Sequence, residues 1–251
     1  VGYIPAGDGE NTIWEQHEIE MALAPLPHAA EAVVLTQWVL RNLAHLSGMR
    51  CSFDPIMRKG HAGSGLHFHF APWREGASLA GRGPDGTMSD AARYLIAGLV
   101  SYGGALMAFG NRVEGSFIRL SQGREAPTAV AWGEFDRLAL VRLPVVATAP
   151  DGRAVSAPTI EFRLPDGSAH PYTLLAGVAQ AMVASRGLPG LDDIVARTAA
   201  ARVRQDPGGA TRLPRTFRDV GEALAAHRGV LESGGVFPAE FVDNTLRLLL
   251  G

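Results

Sequence analysis

What most restricts the fold of this chain is the order in which two hydrophobic periodicities occur along it. From Thr12 to Met21 apolar and polar residues alternate, with Ile13, Ile19 and Met21 on one parity and Gln16, Glu18 and Glu20 on the other, which predicts a strand with one carboxylate-rich face. The run from His28 to Leu46 places Ala32, Leu35, Trp38, Val39, Leu43 and Leu46 at helical spacing and stops at Ser47-Gly48, a good helix terminator. Cys51 to Met57 and Gly65 to Ala71 read as strands separated by a polar, glycine-bearing turn. A loop from Trp73 to Met88 then leads to Ser89-Asp90, a cap for a helix reaching about Phe109, and glycines 98, 103 and 104 inside that helix imply close packing against a neighbour. Phe117 to Leu120, Thr128 to Trp132, Leu138 to Leu143 and Thr159 to Leu164 are further strand candidates. Helices follow at Tyr172 to Ser185, Leu191 to Ala201, Phe217 to Ala226 and Pro238 to Leu250, with a loop from Gln205 to Pro214. Strands early and helices late, without regular βα alternation, predict an α+β fold over a doubly wound sheet.

Composition removes several function classes. The 251 residues are 47% hydrophobic, enough for a sizeable core, and 23 basic against 25 acidic residues leave no field to hold nucleic acid or an anionic membrane. The single cysteine, Cys51, excludes an internal disulfide and a cysteine-based zinc site, which fits a reducing cytoplasm. Apolar runs such as Tyr94 to Val100 and Leu246 to Leu250 are too short to cross a bilayer, so neither a membrane nor nucleic acid is expected as partner. Val1 is not a methionine and Val1-Gly2-Tyr3-Ile4-Pro5 reads like the middle of a protein, so the chain is expected to be a piece of a longer one.

Three small clusters could carry chemistry. His67 and His69 lie two apart on a predicted strand and so share a face, after the small residues Gly63, Ser64 and Gly65 that let backbone approach a ligand. Glu10, Glu18 and Glu20 form the second cluster, and Glu161 with Arg163 the third. Histidines and charges on a strand face are also ordinary surface features, as are arginines 119, 137, 142 and 163 in surface ion pairs. Together, imidazole, carboxylates and guanidinium forks suit Mg²⁺ or Mn²⁺ beside phosphate oxygens.

Order and spacing add what the clusters lack. Glu15-Gln16-His17-Glu18-Ile19-Glu20, a helix, Phe53-Asp54-Pro55 and Gly63-Ser64-Gly65-Leu66-His67-Phe68-His69 come first. Arg119-Leu120, Gly123-Arg124-Glu125-Ala126-Pro127, Arg137, Val141-Arg142-Leu143-Pro144 and Glu161-Phe162-Arg163-Leu164-Pro165-Asp166 follow in register. This ordered set resembles the glutamine synthetase family over nearly the whole chain, residues 1–251, as a catalytic domain of that kind. The resemblance implies an α+β domain with a curved, mostly antiparallel sheet lined by metal ligands and flanked by helices. It implies an ATP-dependent ligase that joins glutamate to ammonia, or to another amine, through a γ-glutamyl phosphate. Glu10 and Glu18 would bind one Mg²⁺ or Mn²⁺, and His67 and Glu161 a second. Gly63 and Arg119 would meet the amino-acid substrate, and Arg142 both substrate and phosphates. Arg137 would face the phosphates, Arg163 the γ-carboxylate or the transferred phosphoryl group, and His69 the nucleotide phosphates. Glu125 would lie on a flap and take a proton from the amine.

Several positions depart from the pattern of the best-known bacterial members. Ala62 stands where an asparagine is common, Ala71 where a serine is, Arg124 where a tyrosine is, Asp136 where an asparagine is and Thr159 where an arginine is. The family's N-terminal β-grasp domain and Glu-x-Glu strand have no counterpart here, so weak or no activity is expected of this piece alone, and a homo-oligomeric ring is expected of the full-length parent. A γ-glutamylamide synthetase using a polyamine, ethanolamine or methylamine, and a non-catalytic assembly protein, are the alternative readings.

Overall fold

The computed structural model describes residues 2–5, 15–58, 60–83, 85–151 and 154–251. Glu10 and the first part of the Thr12 to Met21 strand lie outside these residues. In chain order the elements are β1 (Gly2–Pro5), β2 (Glu15–Gln16), α1 (Leu26–Leu46), β3 (Met49–Ser52), β4 (Phe68–Phe70), β5 (Trp73–Arg74), β6 (Ala77–Ser78), α2 (Asp90–Gly110) and α3 (Glu114–Ser121). They continue with β7 (Ala129–Glu134), β8 (Ala139–Leu143), β9 (Ile160–Phe162), α4 (Pro171–Ser185), α5 (Leu191–Arg197), α6 (Ala200–Gln205), α7 (Phe217–Glu232) and α8 (Ala239–Leu250). The expected α+β organisation is what the chain adopts.

Two sheets matter for the site. The strands β2-β1-β3 form an antiparallel sheet, and β4-β9-β8-β7 a mixed one in which only the β7–β8 pairing is parallel. In the second sheet Phe68, Phe70, Val141, Ile160 and Phe162 are buried. Strand alternation therefore sends His69, Arg142 and Glu161 to the opposite face.

Beneath the apolar face lies α2, started by Ser89, whose Oγ accepts from the Ala92 amide at 3.0 Å. Its length and composition would suffice to cross a bilayer, unlike the shorter runs noted from sequence, but 78% of its most apolar window is buried inside the protein. α2 packs on α4 and α7, and its glycines explain the closeness: a Cβ on Gly98 would sit 2.5 Å from the Ala181 carbonyl of α4. Reciprocally, a Cβ on Gly177 of α4 would stand 2.7 Å from Leu106.

The structure corrects several expectations. Phe117 to Leu120 is not a strand but part of α3, because Phe117 and Leu120, three apart, bury one helical face while Glu114 and Arg119 complement the two ends. The strand expected over Cys51 to Met57 stops at Ser52. Ser52 and Asp54 form a local hydrogen-bonded turn there, and Pro55 offers no ladder amide. Of the Thr12 to Met21 strand, Glu15–Gln16 is paired and residues 17–25 are irregular. The single helix expected over Leu191 to Ala201 is two, since the Trp132 amide takes the Thr198 carbonyl at 2.9 Å and bridges Ala199 to β7. α1 keeps Leu35, Trp38, Leu43 and Leu46 on an exposed outer face.

Replacing a helical glycine by alanine ordinarily gains up to about 1 kcal/mol. At Gly98 the backbone collision outweighs that gain, so Gly98→Ala is expected to destabilise by about 1–3 kcal/mol. A urea denaturation midpoint equal to or above that of the wild type would contradict the close α2–α4 crossing.

Candidate active site

Strand register assembles the site. His69 of β4 pairs with Glu161 of β9, and Glu161 pairs with Arg142 of β8, so the three make one row across three strands. His67 and Arg163, two residues along their strands' directions, share that face. All of them converge on the Glu161 carboxylate, which is 1% exposed. His67 Nδ1 lies 3.1 Å from Oε1, Arg163 Nη1 donates to Oε1 at 2.6 Å and Arg142 Nε donates to Oε2, with His69 Nε2 at 3.9 Å from Oε1.

The charges follow. Burial pushes the Glu161 carboxyl upward, but the His67 hydrogen bond and the Arg163 and Arg142 charges outweigh it and lower the pKa to about 2. Burial lowers both imidazoles, against the opposing pull of Glu161, so each is neutral at pH 7. A neutral imidazole next to an ionised carboxylate is the right chemistry for a divalent cation. It supplies two donors, and among the described residues no group of three or more such side chains forms. The pair fits as part of a cation site and not as a whole one.

Arg163 does more than neutralise. Its Nη2 donates to the Glu125 carbonyl at 2.9 Å and its Nε to the Arg137 carbonyl at 3.2 Å, tying both of their loops to β9. Glu125 itself has a left-handed φ of 56°, and its exposed carboxylate pairs with Arg137 Nη1 at 2.5 Å.

Arg119 lies below, 2% exposed. Its guanidinium donates to the carbonyls of Arg163 at 3.0 Å, Leu164 at 2.9 Å and Pro165 at 3.2 Å, and Nη2 approaches His67 Nε2 at 3.4 Å. Burial lowers its pKa to about 10, against the pull of the Asp166 charge, so it stays protonated at pH 7. The glycines 63 and 65 make room for it. A Cβ on Gly63 would meet the Pro55 carbonyl at 2.5 Å and Arg119 Cγ at 2.9 Å, and one on Gly65 would lie 2.3 Å from His67 Nε2. The glycine-rich entry is required by the protein's own side chains, whatever it offers a ligand.

Glu18 sits in the irregular, exposed segment after β2. That segment is docked beside the glycine entry by Gln16, whose Nε2 donates to the Ala62 carbonyl at 3.3 Å and Ser64 Oγ at 3.1 Å, and Glu20 raises the His69 pKa by its charge. The sequence reading did not single out Asp166 as a site residue. It is fully buried, accepts from Asn111 Nδ2 at 2.9 Å and Ser168 Oγ at 2.6 Å, and holds the turn whose carbonyls Arg119 binds. Its signal was Pro165-Asp166-Gly167, where a Cβ on Gly167 would fall 2.0 Å from the Phe53 carbonyl. A cleft of about 280 Å³ lined by Trp132, Glu134, Asp136 and Arg204 lies elsewhere and contains none of the candidate residues.

Comparison with known proteins identifies the family of the chain. A family model described as glutamine synthetase, catalytic domain, matches residues 10–248. A glutamine synthetase from Mycobacterium bovis is 33% identical over 238 residues, 91% of this chain and 47% of the relative. Among solved structures, the Plasmodium falciparum glutamine synthetase aligns with TM-score 0.73 at 17% identity, over 89% of this chain and 50% of that one. An unliganded GmaS aligns with TM-score 0.68 at 25% identity, over 90% and 49%. The chain thus spans about half the length of the curated relatives it matches.

Two outcomes test the geometry. Arg119→Met removes a donor from three carbonyls, of which Leu164 keeps Asn111 Nδ2 and Pro165 keeps the Leu66 amide, and should cost about 1–3 kcal/mol in chemical denaturation; an unchanged midpoint would show the contacts to be inconsequential. The folded pKa of Glu161, about 2, lies below its ordinary value of 4.5, so its ion pairs stabilise fully above about pH 4.5 and lose that contribution as pH falls toward 2. Wild-type stability should therefore fall faster than that of Glu161→Gln across this window, and parallel curves would refute the assignment.

Proposed function

The chain belongs to the glutamine synthetase catalytic-domain family, and on that premise we propose that it carries the catalytic groups of an ATP-dependent ligase joining the γ-carboxylate of glutamate to an amine. The observation that carries the reading is the row His69, Glu161 and Arg142, with His67 and Arg163 closing on the same carboxylate. In the proposed reaction the glutamate carboxylate attacks the terminal phosphorus of ATP and ADP leaves. Ammonia then attacks the acyl phosphate, the C–O bond breaks, and phosphate and a proton are released.

Each residue answers one demand of that sequence. Charge spread over the transferring phosphoryl group needs fixed positive donors, and Arg142 and Arg163 are clustered around the Glu161 carboxylate for it, with the more exposed Arg137 paired to Glu125 and joined to Arg163 through its own carbonyl. Arg163 is pre-oriented by its two backbone carbonyls, so little ordering remains at the moment of reaction. Glu125 would take the proton of the attacking amine. Its ion pair with Arg137 is exposed and worth only about 0–1 kcal/mol, so it can open. The same loop would exclude water from the acyl phosphate. Gly63 would present backbone to the amino acid. Binding of its α-carboxylate at Arg119 requires that guanidinium to release at least one carbonyl. Mg²⁺ or Mn²⁺ would add charge neutralisation beside the phosphates, with His67 and Glu161 as two donors and Glu10 and Glu18 as donors to a second ion.

The amine is the open choice between ammonia and a larger one, and the likeness to GmaS at 25% identity keeps an amide of methylamine as the second reading. The test assays ADP release by the protein in the longest form its gene encodes, with glutamate and a panel of ammonia, methylamine, ethanolamine and polyamines. Product identity is read by mass spectrometry. Transfer of ¹⁸O from labelled glutamate to phosphate is expected, and Arg163→Met should lower kcat/KM roughly 100-fold or more. ADP release that needs no amine, or none with any pair, would reject the ligase.

A further inference from the structure

Thr159 leads into β9 two residues before Glu161 and has no role in the site described above. The backbone ahead of it is anchored, since Ser78 Oγ donates to the Pro158 carbonyl at 2.7 Å. Because His69 pairs directly with Glu161, Thr159 is its diagonal neighbour on the same face, within reach of the ring. Its Oγ1 lies 2.9 Å from His69 Nδ1, while the other ring nitrogen, Nε2, faces Glu161 Oε1 at 3.9 Å.

These two contacts select a tautomer. An ionised carboxylate has no proton to give, so an imidazole lone pair aimed at it is repelled, whereas an N–H is attracted. The proton therefore belongs on Nε2. Nδ1 is left as acceptor, and the threonine O–H must be its donor. The side chain is 37% exposed, so part of the ring is open to solvent. Across Glu161 from it stands Arg142, which makes the pair a two-sided frame for an anion.

We propose that Thr159 is a positioning residue that holds His69 as an Nε2–H donor for a phosphate group of the nucleotide entering above Glu161. The identity of the anion rests on the ligase reading; the link between Thr159 and the ring does not. An arginine, common at this position in the family pattern, would supply charge directly, whereas threonine acts through the histidine.

The test compares wild type, Thr159→Ser and Thr159→Val, with long-range ¹H–¹⁵N spectra of the His69 ring at neutral pH and calorimetric titration of ADP in Mg²⁺ buffer. Wild type and Thr159→Ser should show the Nε2–H tautomer. Thr159→Val, which keeps the shape and loses the hydroxyl, should show both tautomers and bind ADP roughly tenfold more weakly, with serine restoring affinity. A wild-type Nδ1–H tautomer, an unchanged ring in Thr159→Val, or a changed ring with unchanged ADP affinity would each overturn the inference alone. Failure of the wild type to bind ADP would overturn the ligase reading and the donor's target together, with the ring spectra still deciding the Thr159–His69 link.

Discussion

The Glu161 carboxylate is the group on which the rest of the site depends. It is buried, and a buried carboxylate stays ionised only when cations and hydrogen bonds outweigh its lost hydration. His67, Arg142 and Arg163 provide them, each from a separate strand or strand extension. The sheet register is therefore also the electrostatic arrangement: shift β4 or β8 by one residue against β9 and His69 or Arg142 turns to the apolar face.

From that point the dependence spreads outward through backbone rather than side-chain contacts. Arg163 grips Glu161 with one nitrogen and the carbonyls of Glu125 and Arg137 with the others, so two loops take their positions from one guanidinium. Arg119 does the same below, binding three consecutive carbonyls after β9 and touching His67. Glu125 is the exception. Its strained φ and exposed ion pair leave its side chain the least committed of the group, which is compatible with the proton-accepting role proposed for it.

The apolar side of the same sheet supplies rigidity. α2 runs buried beneath β7, β8 and β9, and crosses α4 at glycines that permit helix backbones to touch. A site whose donors must keep fixed separations needs such support, because ångström displacements weaken every contact at Glu161 at once.

Sequence alone determined the α+β order, the Ser89 cap and the α2 glycines, because these rest on local periodicity, and motif order singled out the polar residues for which chemistry is proposed. It misread Phe117 to Leu120, where four residues of mixed character satisfy either period and only burial against Phe217 decides. It also gave Gly63 and Gly65 to a ligand, when the nearest claim on that space is Arg119 and His67. Which groups meet was the tertiary structure's decision. Residues 69, 142 and 161 are far apart in the chain, and nothing local specifies the cross-strand register that makes them neighbours. That register follows from burying Phe68, Phe70, Val141, Ile160 and Phe162 on one face, and the polar row is its geometric consequence on the other.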